Sequence, residues 1–420
     1  MRFGFTTGSC AAAGAKAACY MLLTGKEKRE IVIKTPKGLD FRAEILDINR
    51  SENQVSCAVV KDGGDDPDIT TGAHIVSTVR FLKEKKSHIA NENMNTDESD
   101  GKPKNPNHTA FVVIKGGKGV GKVTKPGLDQ KVGNAAINHV PREMIEKEVL
   151  EVCALCDYSG GIEVEISVPE GENLAEKTFN PRLGIVGGIS ILGTSGVVEP
   201  MSAQALKDTI FVELRQNRAL GRSAVSVSPG NYGLDFMKRT FDFDIDKSVK
   251  CSNFIGDTLD MARGLGFKKI FLTGHIGKLI KISGGIMNTH SREGDCRMEL
   301  LCAAALKAGC NLETAKSILG AVSTEEGIAI IKNADFRKSQ KSEESKEFEE
   351  LENAEKICKV SEKSLLERTM DFVMERIMFF LRKRAGENLE VGCIVFCNEF
   401  GLLGKSENAI SLLEECKSQI

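Results

Sequence analysis

The sequence predicts an α+β N-terminal domain over residues 1–180, followed by an α/β domain with a small parallel sheet over residues 181–420. Three observations lead to this fold class. The chain has 420 residues, 41% of them hydrophobic, which is more than one core usually organises. Short strand-like runs separated by turns dominate its first part. After Asn180-Pro181, the order strand, glycine-rich loop and helix recurs three times, as is typical of a parallel sheet.

An alanine-rich helix opens the first domain. Its N-cap is predicted to be Thr7 or Ser9, because side-chain hydroxyls cap helix N-termini, and Gly25 is predicted to end it. Residues 5–10 (FTTGSC) bring hydroxyls and a thiol to this end of the helix, where free backbone amides attract anions. The alanine side chains predict close packing of the helix against a sheet.

The other elements follow from hydrophobic periodicity and from the positions of Gly and Pro. In the first domain the predicted strands are 30–34, 41–48, 55–60, 74–82, 110–115 and 162–168, and a helix is predicted at 141–156. In the second domain the predicted strands are 183–186, 224–227, 269–273 and 391–396, and the predicted helices are 202–220, 253–265 and 364–384. A capping box at 323–326 (STEE) predicts one more helix start.

Two segments are too polar to contribute to a core. Residues 84–109 are predicted to form a surface loop inserted in the first domain. Residues 337–356 are predicted to be a solvated linker or an exposed helix.

The composition narrows the classes of function and location. A net charge of −2 without a basic face or tail gives no support to a nucleic-acid or anionic-membrane partner, so small-molecule chemistry is favoured. The thirteen cysteines are scattered and odd in number, which favours reduced thiols in a cytoplasm. Because the sequence has no run of eighteen apolar residues, the chain is expected to be cytoplasmic and without a membrane segment.

Three short motifs suggest other chemistries. Residues 116–122 match the first seven positions of a phosphate-binding P-loop, but Val123 stands where the magnesium-binding hydroxyl belongs and no helix start follows, so a glycine-rich hairpin is favoured. Cys153 and Cys156 form a single C-x-x-C pair without further zinc ligands nearby. The acidic run at 62–68 (DGGDDPD) lacks the spacing of an EF-hand, so a solvated or substrate-facing turn is favoured over a cation site.

Seven stretches, taken together and in order, carry a specific resemblance. They are FTTGSCAAAGAKA (5–17), DGGDDPDIT (62–70), GGKGVGKVTKPGL (116–128), NPRLGIVGGISILGTSGVVEPMS (180–202), SPGNYG (228–233), SNFIGD (252–257) and GHIGKLIKISGGIMNTHS (274–291). The chain resembles the cobalt-precorrin-5B C1-methyltransferase family of anaerobic cobalamin biosynthesis from its first residues to about Glu299. The insertions at 84–109 and 337–356 depart from a minimal family member.

The resemblance implies an enzyme that transfers a methyl group from S-adenosylmethionine to C1 of cobalt-precorrin-5B and gives cobalt-precorrin-6A. The implied partner is a cobalt-containing tetrapyrrole, and a homo-oligomer is left open. Three alternatives remain: a non-catalytic tetrapyrrole-binding protein, a nucleotide-dependent phosphotransferase that uses residues 116–122, and a zinc or redox protein that uses Cys153 and Cys156. No resident metal is expected.

The cofactor site is expected in the second domain, in the longest of its glycine-rich loops, because ligands bind at the carboxyl ends of parallel strands. The expected cofactor-binding residues are Gly187, Gly188, Gly193, Thr194, Ser195, Gly196 and Glu199, the last as acceptor for ribose hydroxyls. Tight turns alone would also account for these glycines.

For proton transfer, His275 is the favoured catalytic residue and His290 the second candidate, since an imidazole titrates near neutral pH. The alternative for either one is a packing histidine. The first domain is expected to present loops to the substrate. The residues expected to bind the tetrapyrrole and its carboxylates are Thr6, Thr7, Ser9, Asp65, Asp66, Lys118, Lys122, Asn231, Tyr232, Lys278, Asn288 and Thr289.

Overall fold

A computed structural model describes residues 2–82, 110–200, 202–344 and 363–419. The predicted surface loop at 84–109 lies outside the described residues, as does most of the charged segment at 337–356. The chain forms two compact units, Met1–Ser202 and Ala203–Ile420. The division falls after Ser202 rather than after residue 180, because the short strands between 185 and 198 pair with strands of the first unit.

The first unit consists of many short strands and three helices among its described residues. In chain order they are β1 (Gly4–Phe5), α1 (Thr7–Thr24), β2 (Glu30–Lys34), β3 (Asp40–Glu44), β4 (Leu46–Arg50), β5 (Gln54–Val60), β6 (His74–Phe81), β7 (Phe111–Gly116), β8 (Gly119–Val120), β9 (Lys122–Val123), α2 (His139–Leu155), β10 (Gly161–Ser167), α3 (Gly171–Ala175), β11 (Ile185–Val186), β12 (Gly188–Ile189) and β13 (Val197–Val198).

The core of the first unit lies between a five-stranded sheet and the helices α1 and α2. The sheet has the order β4-β5-β6-β10-β7, in which only β10 and β7 run parallel. Alanines of α1 are fully buried, and a side chain at Gly14 would lie 2.7 Å from Oγ of Ser77 on β6. The small residues therefore allow the close approach of helix and sheet that the sequence predicts. Between the helices, Nζ of Lys16 lies 2.6 Å from Oε2 of the buried Glu148.

The start of α1 differs from the prediction. Thr6, not Thr7 or Ser9, is the N-cap, and its Oγ1 accepts the N–H of Ser9 at 3.2 Å. Gly25 ends the helix with a positive φ of 68°, as predicted. The amide of Gly8 donates to the carbonyl of Leu192 at 3.1 Å. Since protein atoms use the Gly8 and Ser9 amides, they are not available to an anion.

The glycine-rich stretch at 116–123 is not a hairpin, so that prediction is wrong. Its two short strands pair with residues further along the chain: β8 runs parallel to β12, and β9 runs antiparallel to β11. A side chain at Gly188 would lie 2.2 Å from the carbonyl oxygen of Gly119. Glycine is needed at these positions because two backbones touch there.

The second unit consists of a five-stranded sheet and surrounding helices. In chain order its described elements are α4 (Ala203–Ala219), β14 (Ala224–Ser228), α5 (Leu234–Phe241), a short 3₁₀ helix (Ile245–Lys247), β15 (Val249–Lys250), α6 (Ile255–Gly264), β16 (Lys269–His275), α7 (Ile276–Ser283), α8 (Arg297–Lys307), α9 (Leu312–Leu319), α10 (Thr324–Glu344), α11 (Leu365–Ala385), β17 (Glu390–Cys397), β18 (Gly401–Lys405) and α12 (Ala409–Ser418).

The sheet of the second unit confirms the predicted α/β architecture. Its strand order is β15-β14-β16-β17-β18, and β15, β14, β16 and β17 are parallel while β18 is antiparallel. Helices cover it and bury a large cluster of aliphatic side chains. Among the described residues, no helix combines the length and apolar character needed to cross a lipid bilayer.

Candidate functional site

A cavity of about 310 Å³ lies at the carboxyl edge of the parallel sheet in the second unit. Strands β14, β16 and β17 end there, and parallel sheets place ligands at this edge. The cavity is lined by Pro229, Gly230, Tyr232, Gly274, His275, Gly277, Lys278, Arg297, Thr324, Glu325 and Asn398. It therefore brings together three of the residues predicted from sequence, Tyr232, His275 and Lys278.

A larger and more open depression of about 620 Å³ lies at the opposite edge, around Gly386 and the start of β17. The amino ends of parallel strands do not present the loops and helix N-termini that bind ligands. We therefore take the smaller cavity as the candidate site.

His275 occupies the junction between β16 and α7. It is the N-cap of α7, with extended backbone angles (φ −71°, ψ 141°), and its Nδ1 accepts the N–H of Gly277 at 3.2 Å. A neutral imidazole whose Nδ1 is an acceptor carries its hydrogen on Nε2. The ring therefore points an N–H donor away from α7.

That donor faces Glu325 in the first turn of α10, with Nε2 and Oε1 3.2 Å apart. Burial lowers the pKa of His275 below its ordinary value of 6.5, although the nearby Glu325 carboxylate opposes this shift. Burial alone would raise the pKa of Glu325. Its own backbone N–H, the Thr324 hydroxyl and His275 more than offset this and hold the pKa below the usual value. A neutral imidazole beside an ionised carboxylate is therefore the state expected near neutral pH.

Two cationic side chains line the same cavity. Lys278, in the first turn of α7, donates from Nζ to the carbonyl of Pro229 at 3.3 Å, and burial lowers its pKa below the usual value. Arg297 is held by Asp295 through two bonds, Nε to Oδ1 at 2.6 Å and Nη2 to Oδ2 at 2.9 Å. The Arg297 guanidinium is thereby fixed in orientation before any ligand binds.

Aromatic rings complete the cavity. Tyr232 follows β14 and is 70% exposed, with its ring centroid 6.3 Å from that of His275. Phe396 on β17 lies edge-on to the imidazole of His275, with the ring centroids 5.9 Å apart. The exposed Tyr232 ring is thus available to a flat ligand group.

Among the described residues, one set of side chains has the spacing of a metal site: the ligand atoms of His275, Glu325 and Cys397 lie within 4.8 Å of one another. A metal on Nε2 would require Nδ1 to keep its hydrogen. That hydrogen would meet the N–H of Gly277, which already points at Nδ1. The three side chains therefore fit a metal poorly in this arrangement. The C-x-x-C pair, Cys153 and Cys156, does not form such a set in the described part of the chain.

The other residues predicted in the second unit lie outside the cavity lining. Asn231 is exposed next to Tyr232. His290 is exposed in a turn, where its Nδ1 accepts the N–H of Arg292 at 3.1 Å, and Oδ1 of Asn288 accepts the N–H of His290 at 3.2 Å. Thr289 is only 4% exposed, and its hydroxyl has no hydrogen-bond partner among the described residues.

In the first unit, the hydroxyls predicted to bind substrate join the start of α1 to residues 190–196. Thr7 Oγ1 donates to the carbonyl of Leu192 at 3.2 Å, and Ser9 Oγ donates to the carbonyl of Gly196 at 2.7 Å. Thr6, Thr7 and Ser9 are all buried. Their visible role is to hold this loop against the helix.

The predicted cofactor loop, residues 187–199, is part of the first unit. Protein atoms surround three of its glycines: a side chain at Gly193 would meet Thr6, one at Gly196 would meet Ser9, and Gly188 touches Gly119. Gly187 has open space around it, Thr194 is exposed, and Ser195 Oγ donates to the carbonyl of Val197 at 2.9 Å. Glu199 forms an ion pair with Lys37. Close packing thus explains most of the glycines in this loop.

The charged residues predicted in the first unit are at its surface or paired. Lys118 and Lys122 are exposed. Oδ2 of Asp65 accepts the backbone N–H of Arg2 at 2.6 Å, and Asp66 lies in the same turn. In this turn Asp62 also pairs with Arg2 and Asp68 pairs with Lys61, so protein cations neutralise two of the four carboxylates of the acidic run.

The sequence reasoning did not identify Arg297, Glu325 or Asn398 as site residues. Glu325 belongs to the predicted capping box at 323–326, of which the structure shows one half: Ser323 Oγ accepts the Glu326 N–H, whereas the Glu326 carboxylate accepts from the N–H of Val322 rather than of Ser323. Asn398 lies two residues after the predicted strand at 391–396, and the rule for carboxyl ends could have indicated it. Arg297 reaches the cavity through tertiary folding, which no local pattern indicates.

Comparison with known proteins decides the family. Residues 1–200 match the family model CbiD, and residues 288–342 match the model CbiD, C-terminal domain. A protein of Alkaliphilus metalliredigens named cobalt-precorrin-5B C(1)-methyltransferase is 38% identical over 419 residues, covering 100% of this chain and 96% of that protein. The chain belongs to the CbiD family.

Other CbiD relatives carry the same name. The protein of Ruminiclostridium cellulolyticum is 45% identical over 332 residues, covering 79% of this chain and 80% of that protein. The protein of Methanocaldococcus jannaschii is 36% identical over 403 residues, covering 96% of each chain. A crystal structure of the cobalamin biosynthesis protein (cbiD) of Archaeoglobus fulgidus is 26% identical and covers 70% of this chain and 84% of that chain, with a TM-score of 0.35.

Proposed function

We propose that this CbiD chain transfers a methyl group from S-adenosylmethionine to C1 of cobalt-precorrin-5B, a step of anaerobic cobalamin biosynthesis. The observation that carries the proposal is the similarity over the whole chain to relatives named for this reaction. The cavity at the carboxyl edge of the second unit supports it, because a small ligand with charged groups fits there.

The donor supplies a methyl group already activated on a sulfonium, so the protein needs no nucleophilic side chain. Its main task is to hold donor and acceptor in line at roughly 3 to 3.5 Å, which lowers the entropic part of the barrier. Side chains fixed by their neighbours suit this task. Arg297 is held by Asp295 and His275 by Gly277 and Glu325, so these groups are oriented before ligands bind.

We infer that His275 accepts the proton released when the methylated ring rearranges. Glu325 holds the Nε2 hydrogen, so Nδ1 is the atom that can accept a proton once its contact with the Gly277 N–H opens. A carboxylate on the far nitrogen stabilises the imidazolium that results. Glu325 is then a positioning residue. His290, exposed in a turn, is less well supported for this role.

The donor has two candidate sites. The loop at 187–199 is supported by the open space around Gly187 and the exposure of Thr194. The cavity of the second unit is supported by its position at strand ends and by its lining charges.

The exposed Lys118 and Lys122 suit the acetate and propionate arms of the tetrapyrrole.

The decisive experiment is anaerobic incubation with cobalt-precorrin-5B and S-adenosylmethionine carrying a fully deuterated methyl group. Direct transfer requires a tetrapyrrole product that retains the whole labelled methyl group, with S-adenosylhomocysteine formed in equal amount. Omitting the donor is the control. If the tetrapyrrole binds but its mass never changes, the chain is a carrier rather than a methyltransferase.

The phosphotransferase alternative is poorly supported by the geometry of residues 116–122. A phosphate-binding loop leads into a helix N-terminus, whereas this stretch contains the short strand β8 and continues into the short strand β9. Magnesium-dependent binding of ATP at micromolar concentration would revive it.

A further inference from the structure

We propose that Lys278, Arg297 and Glu325 form a receptor for the α-amino-acid end of the methyl donor, in the cavity at the carboxyl edge of β14, β16 and β17. The proposal rests on the proposed function, since it takes S-adenosylmethionine as the donor. The two cations bind the donor's carboxylate, and Glu325 binds its ammonium group.

The state of Lys278 gives the first argument. Lys278 is half-buried, yet among the described residues no carboxylate forms an ion pair with its ammonium group, whose hydrogen bond goes to the carbonyl of Pro229 at 3.3 Å. Burying a cation without an anionic partner is unfavourable. Because Lys278 also lines a cavity, the missing partner is best explained as an anionic group of a ligand.

Arg297 gives the second argument. Asp295 accepts hydrogen bonds from Nε and Nη2 of Arg297, whereas Nη1 has no hydrogen-bond partner in the described part of the chain. A guanidinium held from one side presents its remaining N–H groups in a fixed direction. Since Arg297 lines the same cavity as Lys278, both cations face one ligand. Gly277 and Lys278 place the N-terminal turn of α7 there as well, and its partial positive charge adds to the attraction.

Glu325 adds the opposite charge. Its side chain is 37% exposed and accepts hydrogen bonds from Thr324 Oγ1 at 3.1 Å and from His275 Nε2 at 3.2 Å. A carboxylate has about four acceptor positions, so capacity remains for an ammonium group. The cavity thus presents two cations and one anion, which complements a carboxylate and an ammonium group attached to the same carbon.

The size of the cavity and its mixed charge distinguish the donor from the tetrapyrrole. About 310 Å³ is at the lower end of the range for small-ligand pockets. A tetrapyrrole with its acid arms needs much more room. One acid arm could reach the cations, but it carries no ammonium group, and the Glu325 carboxylate would repel it.

The test compares two ligands by calorimetry. S-adenosylhomocysteine has the amino-acid end, whereas 5′-methylthioadenosine has the adenosine and the sulfur without it. In Lys278→Met, which keeps an unbranched side chain one atom shorter and without charge, S-adenosylhomocysteine should bind about 10- to 100-fold more weakly, the usual effect of losing a charged hydrogen bond. Methylthioadenosine should bind both proteins equally. Glu325→Gln should show the same pattern with a smaller loss.

A matched variant of the competing loop at 187–199 serves as the control. Glu199→Gln changes a carboxylate of the same kind in the 187–199 loop and should leave the affinity for both ligands unchanged. Circular dichroism of each variant establishes that it is folded. If Glu199→Gln weakens S-adenosylhomocysteine while folded Lys278→Met does not, the receptor proposal is wrong and the loop holds the donor.

The remaining outcomes distinguish failure of the receptor proposal from failure of the proposed function. An equal loss of affinity for both ligands in Lys278→Met would overturn the receptor proposal, since the lysine would then contact the adenosine end. Loss of cobalt-precorrin-5B affinity alone would assign the cations to an acid arm of the tetrapyrrole and overturn it too. If wild type binds S-adenosylhomocysteine as proposed but forms no methylated tetrapyrrole, the proposed function fails while the receptor stands.

Discussion

Nε2 of His275 lies 3.2 Å from Oε1 of Glu325, and this contact joins the end of β16 to the first turn of α10. At the same time Nδ1 of His275 caps α7. One imidazole therefore connects three elements around the cavity, so replacing it affects both helix stability and the charges of the site. The choice of replacement residue can separate these effects.

The first prediction concerns the capping role. His275→Ala removes the acceptor for the Gly277 N–H and should lower the free energy of unfolding of the second unit by roughly 1 kcal/mol, the usual loss of an N-cap. His275→Asn keeps a side-chain acceptor at this position and should recover most of that loss. Urea unfolding followed by a signal specific to the second unit measures both. Equal destabilisation by the two substitutions would show that the cap contributes little.

The second prediction concerns pH. Burial lowers the pKa of His275 in the folded chain below 6.5, so under acid the unfolded state binds more protons than the folded state. The free energy of unfolding should therefore fall as pH drops below about 6.5 towards the folded pKa, by at most about 1.4 kcal/mol per pH unit. His275→Asn should flatten this part of the profile. An unchanged slope in that variant would mean that another group titrates.

The third prediction concerns turnover. His275→Asn keeps the cap of α7 but cannot accept a proton, so the rate of methyl transfer should fall by roughly 10²- to 10⁴-fold if His275 is the base. Affinity for S-adenosylhomocysteine and for the tetrapyrrole should stay within a few fold. His290→Ala is the control and should retain the wild-type rate, because His290 is exposed outside the cavity lining. A near-normal rate for His275→Asn would leave His275 with only its structural role.

Features that depend on neighbouring residues are predicted from the sequence, whereas contacts between distant residues are not. The strand at 30–34, the helix ended by Gly25 and the helix predicted at 364–384 are confirmed because each depends on residues close together in the chain. The parallel sheet is confirmed by the predicted strands at 224–227 and 269–273, which lie in it, whereas the predicted strand at 183–186 pairs with β9 in the first unit. The pairing of β8 with β12 and the meeting of His275 with Glu325 join residues about fifty or more positions apart, and no local pattern encodes such contacts.

The fourth prediction concerns the glycine contact in the first unit. A side chain at Gly188 would meet the backbone of Gly119 at 2.2 Å, which a rotamer change cannot relieve. Gly188→Val should therefore destabilise the first unit by at least the roughly 1–3 kcal/mol typical of overpacking. Gly264→Val is the control for the added side chain itself, since Gly264 has no positive φ and nothing lies within 4 Å of a Cβ added there. If Gly188→Val unfolds like wild type, the two backbones are further apart than the structure shows.

The fifth prediction returns to the glycine-rich stretch at 116–123. Lys118 and Lys122 are exposed, and neither has an ion-pair partner among the described residues. Exposed pairs contribute about 0.2 to 1 kcal/mol each, so Lys118→Ala combined with Lys122→Ala should weaken tetrapyrrole binding about 2- to 30-fold. Because salt screens such contacts, the difference should shrink at high ionic strength.

Lys26 and Lys147, exposed lysines elsewhere in the same unit, provide a double variant with the same change in net charge. It should bind the tetrapyrrole as wild type does at every salt concentration, because a general effect of charge would affect both variants alike. S-adenosylhomocysteine affinity should be unchanged in both, since the proposed donor receptor lies in the second unit. Equal weakening of tetrapyrrole binding by the two double variants would reduce the role of Lys118 and Lys122 to long-range attraction. A loss of tetrapyrrole affinity that does not depend on salt would indicate that the substitutions disturb the loop itself.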